Sequence, residues 1–470
     1  MESKNISRRE FLKKLGLGVA ATSVVAAACS DKQKENAVEG DIPKGKMTYR
    51  MNPKTNEKVS LLGYGMMRLP IIQSENTKNA GSARDTDAPI DQEAVNRLVD
   101  YAIAHGVNYF DTSPAYCKGK SEHATGIALS RHKRNEFFIA TKLSNFAPQT
   151  WSYNASVEMF NNSLKELQVD YIDYLLLHGV GMGEDGMQVL HGRYLDNGVL
   201  DFLLKQREKG IIRNLGFSYH GDVNVFDYLL SQHDKYHWDF VQIQMNYMDW
   251  AYAKQINARN TNAEYLYNEL AKLDIPIVIM EPLLGGRLVK MPDAIVKQMK
   301  EREPEKSVAS WAFRFLGSYD KVLTSLSGMT EMQHLQDNLR THCPLKPLTE
   351  EEKDFLFSIA KQMVEKNNIP CNECQYCMPC PYGLDIPAIF THYNKCINEG
   401  NISESMQDKN YWKARKAFLI GYDRKVPKLR QANMCTGCNE CSPHCPQRIA
   451  IPVEMQKIDA YVEKIKQNLL

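Results

Sequence analysis

This chain of 470 residues has no large excess of one charge, no apolar run of bilayer length and no Gly-x-Gly-x-x-Gly turn after its first β-rich segment. Each absence removes a class of protein. Basic residues number 58 against 56 acidic ones, a net charge of +2, so there is no global field to attract nucleic acid. Without the glycine-rich turn, an open dinucleotide-binding sheet lacks its phosphate-binding fingerprint. Cysteine is sparse, twelve in all, and spread evenly it would be too dilute for a disulfide scaffold. Nine of the twelve, however, lie between Cys371 and Cys445, which makes that stretch a chemically separate region. Hydrophobic residues at 43% and charged residues at 24% supply a large core and exclude wholesale disorder. At about 100–200 residues per domain, the length predicts more than one domain.

The N-terminus reads SRREFLKK (Ser7–Lys14), then LGLGVAATSVVAAAC (Leu15–Cys29). The apolar run falls short of the ~20 residues needed to span a bilayer, which reads as a cleavable signal peptide over residues 1–28. Arg8–Arg9 with Phe11–Leu12 resembles a twin-arginine signal, which implies export of an already folded protein. Ala26-x-Ala28 offers a cleavage site, while small residues before Cys29 resemble a lipoprotein signal and imply a lipid anchor there. The expected location is therefore periplasmic, free or membrane-anchored. Residues 29–46, polar and dotted with Gly and Pro, read as a linker.

From residue 47 to 345, eight β-rich runs alternate with helical patterns. The runs are Leu61–Gly65, Val107–Asp111, Phe137–Thr141, Tyr171–His178, Ile212–Ser218, Phe240–Asn246, Pro276–Met280 and Lys321–Gly328. Between them, apolar residues recur with helical period, as at Ala94, Leu98, Tyr101 and Ala102, or Val157, Phe160, Leu164 and Leu167. Continuous apolar strands separated by helices predict a parallel sheet, and eight repeats predict a closed α/β (β/α)8 TIM barrel. The segment Thr48–Leu62 alternates around Asn-Pro-Lys-Thr-Asn and reads as a hairpin capping the bottom of that barrel.

Barrel active sites form at the carboxyl ends of the strands. Asp111 ends the second run, Tyr116 follows in the next loop, Lys142 ends the third and His178 ends the fourth. A tyrosine with its usual pKa near 10 donates protons poorly at neutral pH, and an adjacent ammonium lowers that pKa by stabilising the phenolate. Lys142 suits that task with Asp111 holding it, and His178 suits the placing of a substrate oxygen. This set resembles the Asp-Tyr-Lys-His tetrad of the aldo-keto reductase family. The resemblance implies a carbonyl or alcohol oxidoreductase using NADPH or NADH, with tyrosine as the proton donor. Cofactor positions implied by it are Ser218, Gln242, Met280, Ser327, Gly328, Met329 and Asn338, with Arg287 after the glycine-rich EPLLGGR as a holder of the pyrophosphate. Departures from the family stand at Tyr219, where asparagine is common, at Met280, where an aromatic is common, and at Gly328 and His334, where basic residues are expected.

Residues 346–470 carry two related segments, CNECQYCMPCP from Cys371 and CTGCNECSPHCP from Cys435. Each gives Cys-x-x-Cys-x-x-Cys, then a fourth cysteine before proline, the spacing of thiolates around a [4Fe–4S] cube. Zinc normally takes two Cys-x-x-Cys pairs and four ligands in all, so three closely spaced cysteines plus Cys-Pro favour iron–sulfur. In two-cluster ferredoxins the fourth cysteine of each run serves the other cluster. That pattern groups Cys371, Cys374 and Cys377 with Cys445, and Cys435, Cys438 and Cys441 with Cys380. The first run has two residues rather than three before its last cysteine. The intervening segment is helical in pattern, so the region resembles helical ferredoxin-type modules. Its basic residues, Lys413, Arg415, Lys416, Arg424, Lys425, Lys428 and Arg430, suit an acidic protein or membrane electron donor, or alternatively balance anionic clusters. Cys117, Cys343 and Cys396 lack ligand spacing and read as buried thiols.

The whole reads as an exported aldo-keto reductase joined to an electron-transfer module acting on a small carbonyl or alcohol. The rival reading is an iron–sulfur relay or sensor with the barrel as scaffold.

Overall fold

In the computed structural model, the described residues are 42–74, 82–83, 87–183, 185–366, 368–371, 373, 375, 377–445 and 447–470. The signal-like segment, Cys29 and Cys374 lie outside them. Eight parallel strands close on one another: β3 (Leu62–Gly65), β4 (Tyr109–Asp111), β5 (Phe138–Leu143), β6 (Ile172–Val180), β7 (Ile212–Tyr219), β8 (Phe240–Gln244), β9 (Ile277–Met280) and β10 (Val322–Ser327). β10 pairs with β3 and so completes the ring. All eight fall on the expected β-rich runs. β6 is buried along its whole length, as expected of a strand covered on both sides.

The crossover helices start at side-chain caps that the local sequence provides. Asp91 accepts a hydrogen bond from the Ala94 amide, Ser152 from Ala155, Asp222 from Asn224 and Ser307 from Ser310. Their buried faces are rotated from the simplest apolar count. Helix Gln92–Ala104 buries Val95, Leu98, Val99 and Ala102, leaving Ala94 and Tyr101 half-buried. Helix Tyr153–Leu167 buries Ser156, Phe160, Ser163 and Leu167, the serines hydrogen-bonded to Asn145, Thr150 and Glu122, while Val157 and Leu164 lie on the flank.

The hairpin forms as expected, β1 (Tyr49–Met51) antiparallel to β2 (Lys58–Ser60). Val59 is fully buried in one cluster with Tyr109, Tyr174, Phe240 and Val278, residues at the starts of barrel strands. Asn52 Nδ2 donates to the Tyr174 hydroxyl at 3.1 Å. The hairpin thus plugs the amino-terminal end, and only the opposite end is left to hold a site.

The region expected to begin at residue 346 opens with a helix that packs on the barrel. Helix Glu350–Glu365, opened by a Thr349/Glu352 capping box, buries Leu356, Ile359 and Ala360 in the larger barrel core. Arg314 Nη2 also donates to Glu352 at 2.7 Å. Packing therefore assigns this helix to the barrel, and the cysteine-bearing tail follows it. That tail has its own core, built by helices Ile386–Asn398, Tyr411–Lys425 and Ile451–Gln467 around Ile389, Phe390, Phe418 and Ile458. Barrel and tail belong to one compact unit, Asp41–Leu470. Among the described residues no helix is long and apolar enough to cross a membrane.

Candidate active site

Strands β4, β5 and β6 bring Asp111, Lys142 and His178 to the carboxyl end of the barrel, and the loop after β4 adds Tyr116. Lys142 Nζ donates to Asp111 Oδ1 at 2.6 Å and to the Thr112 carbonyl at 2.8 Å. Lys142 and Asp111 are 1% and 2% exposed, so the pair stands in dry surroundings where its attraction is weakly screened. Burial pushes Asp111 up and Lys142 down, and each partner's charge opposes the other's shift. The Lys142 ammonium lies 4.7 Å from the centroid of the Tyr116 ring. The Tyr116 and His178 rings meet edge to face at 5.8 Å. All four expected residues therefore share one constellation.

His178 is held from behind. Its Nδ1 lies 2.5 Å from Ser144 Oγ and 3.3 Å from Ser113 Oγ, so Nε2 is the nitrogen these serines do not engage. Burial, with the charges of Lys142, His220 and Arg193, holds the imidazole well below its ordinary pKa, so it is neutral at pH 7. Phe146 packs on it at 4.7 Å between ring centroids. Phe146 is 40% exposed and Met182 37%, giving the site an apolar rim suited to excluding water from a bound carbonyl.

The expected cofactor positions lie on the opposite arc of the mouth. Ser218 and Gln242 are neighbours in the β7–β8 register. Ser218 Oγ accepts the Gly179 amide at 2.8 Å, which leaves its own proton to donate. Gln242 is buried and its Oε1 has no partner, an orphaned acceptor that a carboxamide N–H would satisfy. Met280 ends β9, half-buried, beside Gln244. Gly285 and Gly286 take positive φ of 65° and 98°, and Arg287 follows with a buried Nη1 that has no partner. Ser327 Oγ accepts from Asn338 Nδ2 at 2.9 Å, and the Met329 carbonyl accepts from Tyr64. A Cβ on Gly328 would stand 3.1 Å from Arg68 Cδ, so the stem of Arg68 fills the space where the family places a basic side chain.

Three residues escaped the sequence reading. Arg68 meets Gly328 only because β10 closes on β3, and no local signal marks it. His220 lies two residues beyond Ser218, the spacing that returns a strand side chain to the same face. Burial pushes it down to about 4. Asp249 accepts from Gln244 and Asn246, and burial pushes it up to about 6.

In the tail, Cys371, Cys377 and Cys445 line one small cavity with Phe390, Ile449 and Ile451. Cys380 and Cys435 lie within electrostatic reach of Cys441. Cys371, Cys377 and Cys445 therefore share one place and Cys380, Cys435 and Cys441 another, while Cys438 is exposed. No group of three or more His, Cys, Asp or Glu among the described residues is arranged to hold a metal ion. The donor chemistry and the apolar lining nevertheless fit thiolate-bound clusters. Cys117, Cys343 and Cys396 are all buried. Burial pushes Cys343 up to about 11 and Cys396 up to about 12, which leaves both thiols protonated and inert. Two residues of the basic segment are used internally, Arg415 on the Ile465 carbonyl at 2.6 Å and Arg430 on that of Gly383 at 3.0 Å.

Residues 62–356 match the family model described as Aldo/keto reductase family. The chain belongs to the aldo/keto reductase family. It is an oxidoreductase of aldo-keto reductase type. It is 25% identical over 297 residues to the "Uncharacterized oxidoreductase YqkF" of Bacillus subtilis, a match covering 57% of this chain and 88% of that one. To the D-arabinose 1-dehydrogenase of Saccharomyces cerevisiae it is 34% identical over 140 residues, 28% of this chain and 38% of the relative. Among solved structures, the aldo-keto reductase AKR11C1 from Bacillus halodurans in its holo form matches with a TM-score of 0.51 at 22% identity, covering 67% of this chain and 96% of that one. These matches cover the barrel's fold.

The neutral imidazoles make stability depend on pH in a definite direction. His178 and His220 have folded pKa values below the unfolded ~6.5, so the unfolded chain binds more protons in acid. Their contribution is complete above about pH 6.5 and is lost in acid, for His220 as pH falls toward 4. In urea unfolding between pH 6.5 and 4.5, His220→Gln should flatten the decline by up to about 1.4 kcal/mol per pH unit. Parallel curves for wild type and variant would contradict this.

Proposed function

We propose that the chain is an NADPH- or NADH-dependent reductase of small carbonyls, running also in the alcohol-oxidising direction, and that it is exported with two [4Fe–4S] clusters in its tail. The observation that carries the catalytic part is the buried Lys142–Asp111 pair set against Tyr116 and facing a neutral His178. The orphaned Gln242 Oε1 and the donor-ready Ser218 hydroxyl support a nicotinamide carboxamide beside them. The bound cofactor supplies the hydride. Tyr116 gives its proton to the carbonyl oxygen, and the Lys142 ammonium stabilises the phenolate left behind. Asp111 keeps that ammonium charged where burial alone would discharge it. His178, being neutral, hydrogen-bonds the substrate oxygen without competing as an acid, and Phe146 and Met182 shield the reacting centre.

Tyr116→Phe should cost about 10²–10⁴-fold in carbonyl reduction while leaving nicotinamide binding, followed by NADPH and NADH fluorescence, unchanged. Lys142→Met should do comparable damage. Near-normal reduction by Tyr116→Phe would dismiss the mechanism.

For the tail we infer Cys371, Cys374, Cys377 and Cys445 as ligands of one cluster, and Cys435, Cys438, Cys441 and Cys380 as ligands of the other. The repeated spacing supports this, as do the shared cavity of Cys371, Cys377 and Cys445 and the nearness of Cys380 to Cys441. Anaerobic reconstitution should load about eight irons per chain, and Cys438→Ser should halve that number. Zinc in place of iron in the anaerobically prepared protein would refute the assignment.

Export is read from Arg8–Arg9 and the apolar run after them. A chain that needs clusters and a nicotinamide cofactor outside the cytosol must leave already folded and loaded, which suits a twin-arginine signal. Replacing Arg8 and Arg9 by Lys should strand a cluster-containing precursor in the cytosol on fractionation, and labelled palmitate should follow wild type but not Cys29→Ala. Continued export of the double variant would rule out that route.

A further inference from the structure

The loop after β9 is where the tail touches the barrel mouth. Lys290 Nζ pairs with Glu373 Oε1 at 3.4 Å, three residues past Arg287 on one side and two past Cys371 on the other. Arg287 lies within electrostatic reach of both Cys371 and Asp249. Its Nη1 is buried with no partner, and Asp249 Oδ1, on the barrel side, is buried and unpartnered as well. Asp249 is not within ion-pair distance of the guanidinium, so Arg287 is a half-buried cation whose buried Nη1 has donor capacity left over. Beside it, Gly286 at φ +98° has open space where a Cβ would stand, which lets a ligand approach the backbone. A half-buried guanidinium at a glycine turn suits an anion with two adjacent phosphoryl groups.

We propose that Arg287 is a cation shared between the pyrophosphate of the nicotinamide cofactor and the cluster held at Cys371, so that cofactor binding and the redox state of that cluster are linked. This rests on the cofactor and cluster assignments given above. The first cluster is thereby part of the active-site mouth rather than a remote outlet. The sign follows from charge. A one-electron reduction makes the cluster more negative, draws on Arg287 more strongly and weakens its hold on the pyrophosphate. By reciprocity, a bound pyrophosphate makes the cluster harder to reduce. The oxidised protein therefore retains its cofactor and the reduced protein releases it. No hydride need pass between the two groups, which a two-electron donor and a one-electron centre could not exchange directly.

The experiment is an anaerobic potentiometric titration of the reconstituted full chain, reduced with dithionite and read by electron paramagnetic resonance. It is run alone, with saturating ADP-ribose, and with saturating AMP. ADP-ribose carries the pyrophosphate without a reducible nicotinamide, and AMP lacks the pyrophosphate. One of the two clusters should fall in potential with ADP-ribose but not with AMP. Ten-fold weaker binding to the reduced protein corresponds to a drop of about 59 mV. Arg287→Gln should abolish the shift and Arg287→Lys should keep part of it. Calorimetry confirms that ADP-ribose is bound. The inference fails if bound ADP-ribose shifts neither cluster, if AMP shifts it equally, if ADP-ribose does not bind, or if the shift survives in Arg287→Gln. Should that variant not fold, the wild-type comparison of ADP-ribose with AMP still decides. Failure to assemble any cluster overturns the cluster assignment and this inference together, whereas intact clusters without a shift overturn this inference alone.

Discussion

A lysine ammonium and an aspartate carboxylate, both nearly free of water, meet at 2.6 Å at the mouth of the barrel. Burying either charge alone would cost several kcal/mol, and the structure tolerates them because each charge offsets the other, although Asp111 Oδ2 is left without a hydrogen-bond partner. The arrangement around them follows from that constraint. β4 and β5 must be neighbours in register for Asp111 to reach Lys142, and the Thr112 carbonyl takes a second ammonium hydrogen. The charge so confined faces the Tyr116 ring and helps to keep His178 neutral.

The remainder of the barrel serves to keep that mouth in place. The hairpin closes the amino-terminal end around Val59, so the interior is a packed core and chemistry is confined to the other end. The helix Glu350–Glu365 covers the outside of the barrel with its apolar face and hands the chain to the tail. As a result the cysteine-bearing segment emerges beside the loop after β9, which is why Glu373 reaches Lys290.

Much of the catalytic constellation was legible because it is encoded locally. A continuous apolar run that gives way to polar residues shows its carboxyl end plainly, and Asp111, Lys142 and His178 stand at or near such ends. Ser218 and Gln242 could be placed in the same way. Arg68 could not, since nothing within a few residues of it marks a role. Thr330, whose hydroxyl bonds the Arg68 carbonyl, is 262 residues away. The buried faces of helices Gln92–Ala104 and Tyr153–Leu167 were misjudged by about one position. In the second helix, apolarity counts overlook Ser156 and Ser163, which are buried because they hydrogen-bond to Asn145, Thr150 and Glu122.

By itself the sequence determined the eightfold alternation, the tetrad at the strand ends and the two cysteine runs, because periodicity, capping and ligand spacing are short-range properties. Only the tertiary structure decided which cysteines of the two runs approach one another, which arginine lies over Gly328, and that the tail meets the barrel at Lys290. It also decided the protonation of His178 and His220, since a pKa is set by burial and by charges on other strands. These properties depend on segments far apart in the chain being brought together, and ring closure and core packing do that where no local pattern records it.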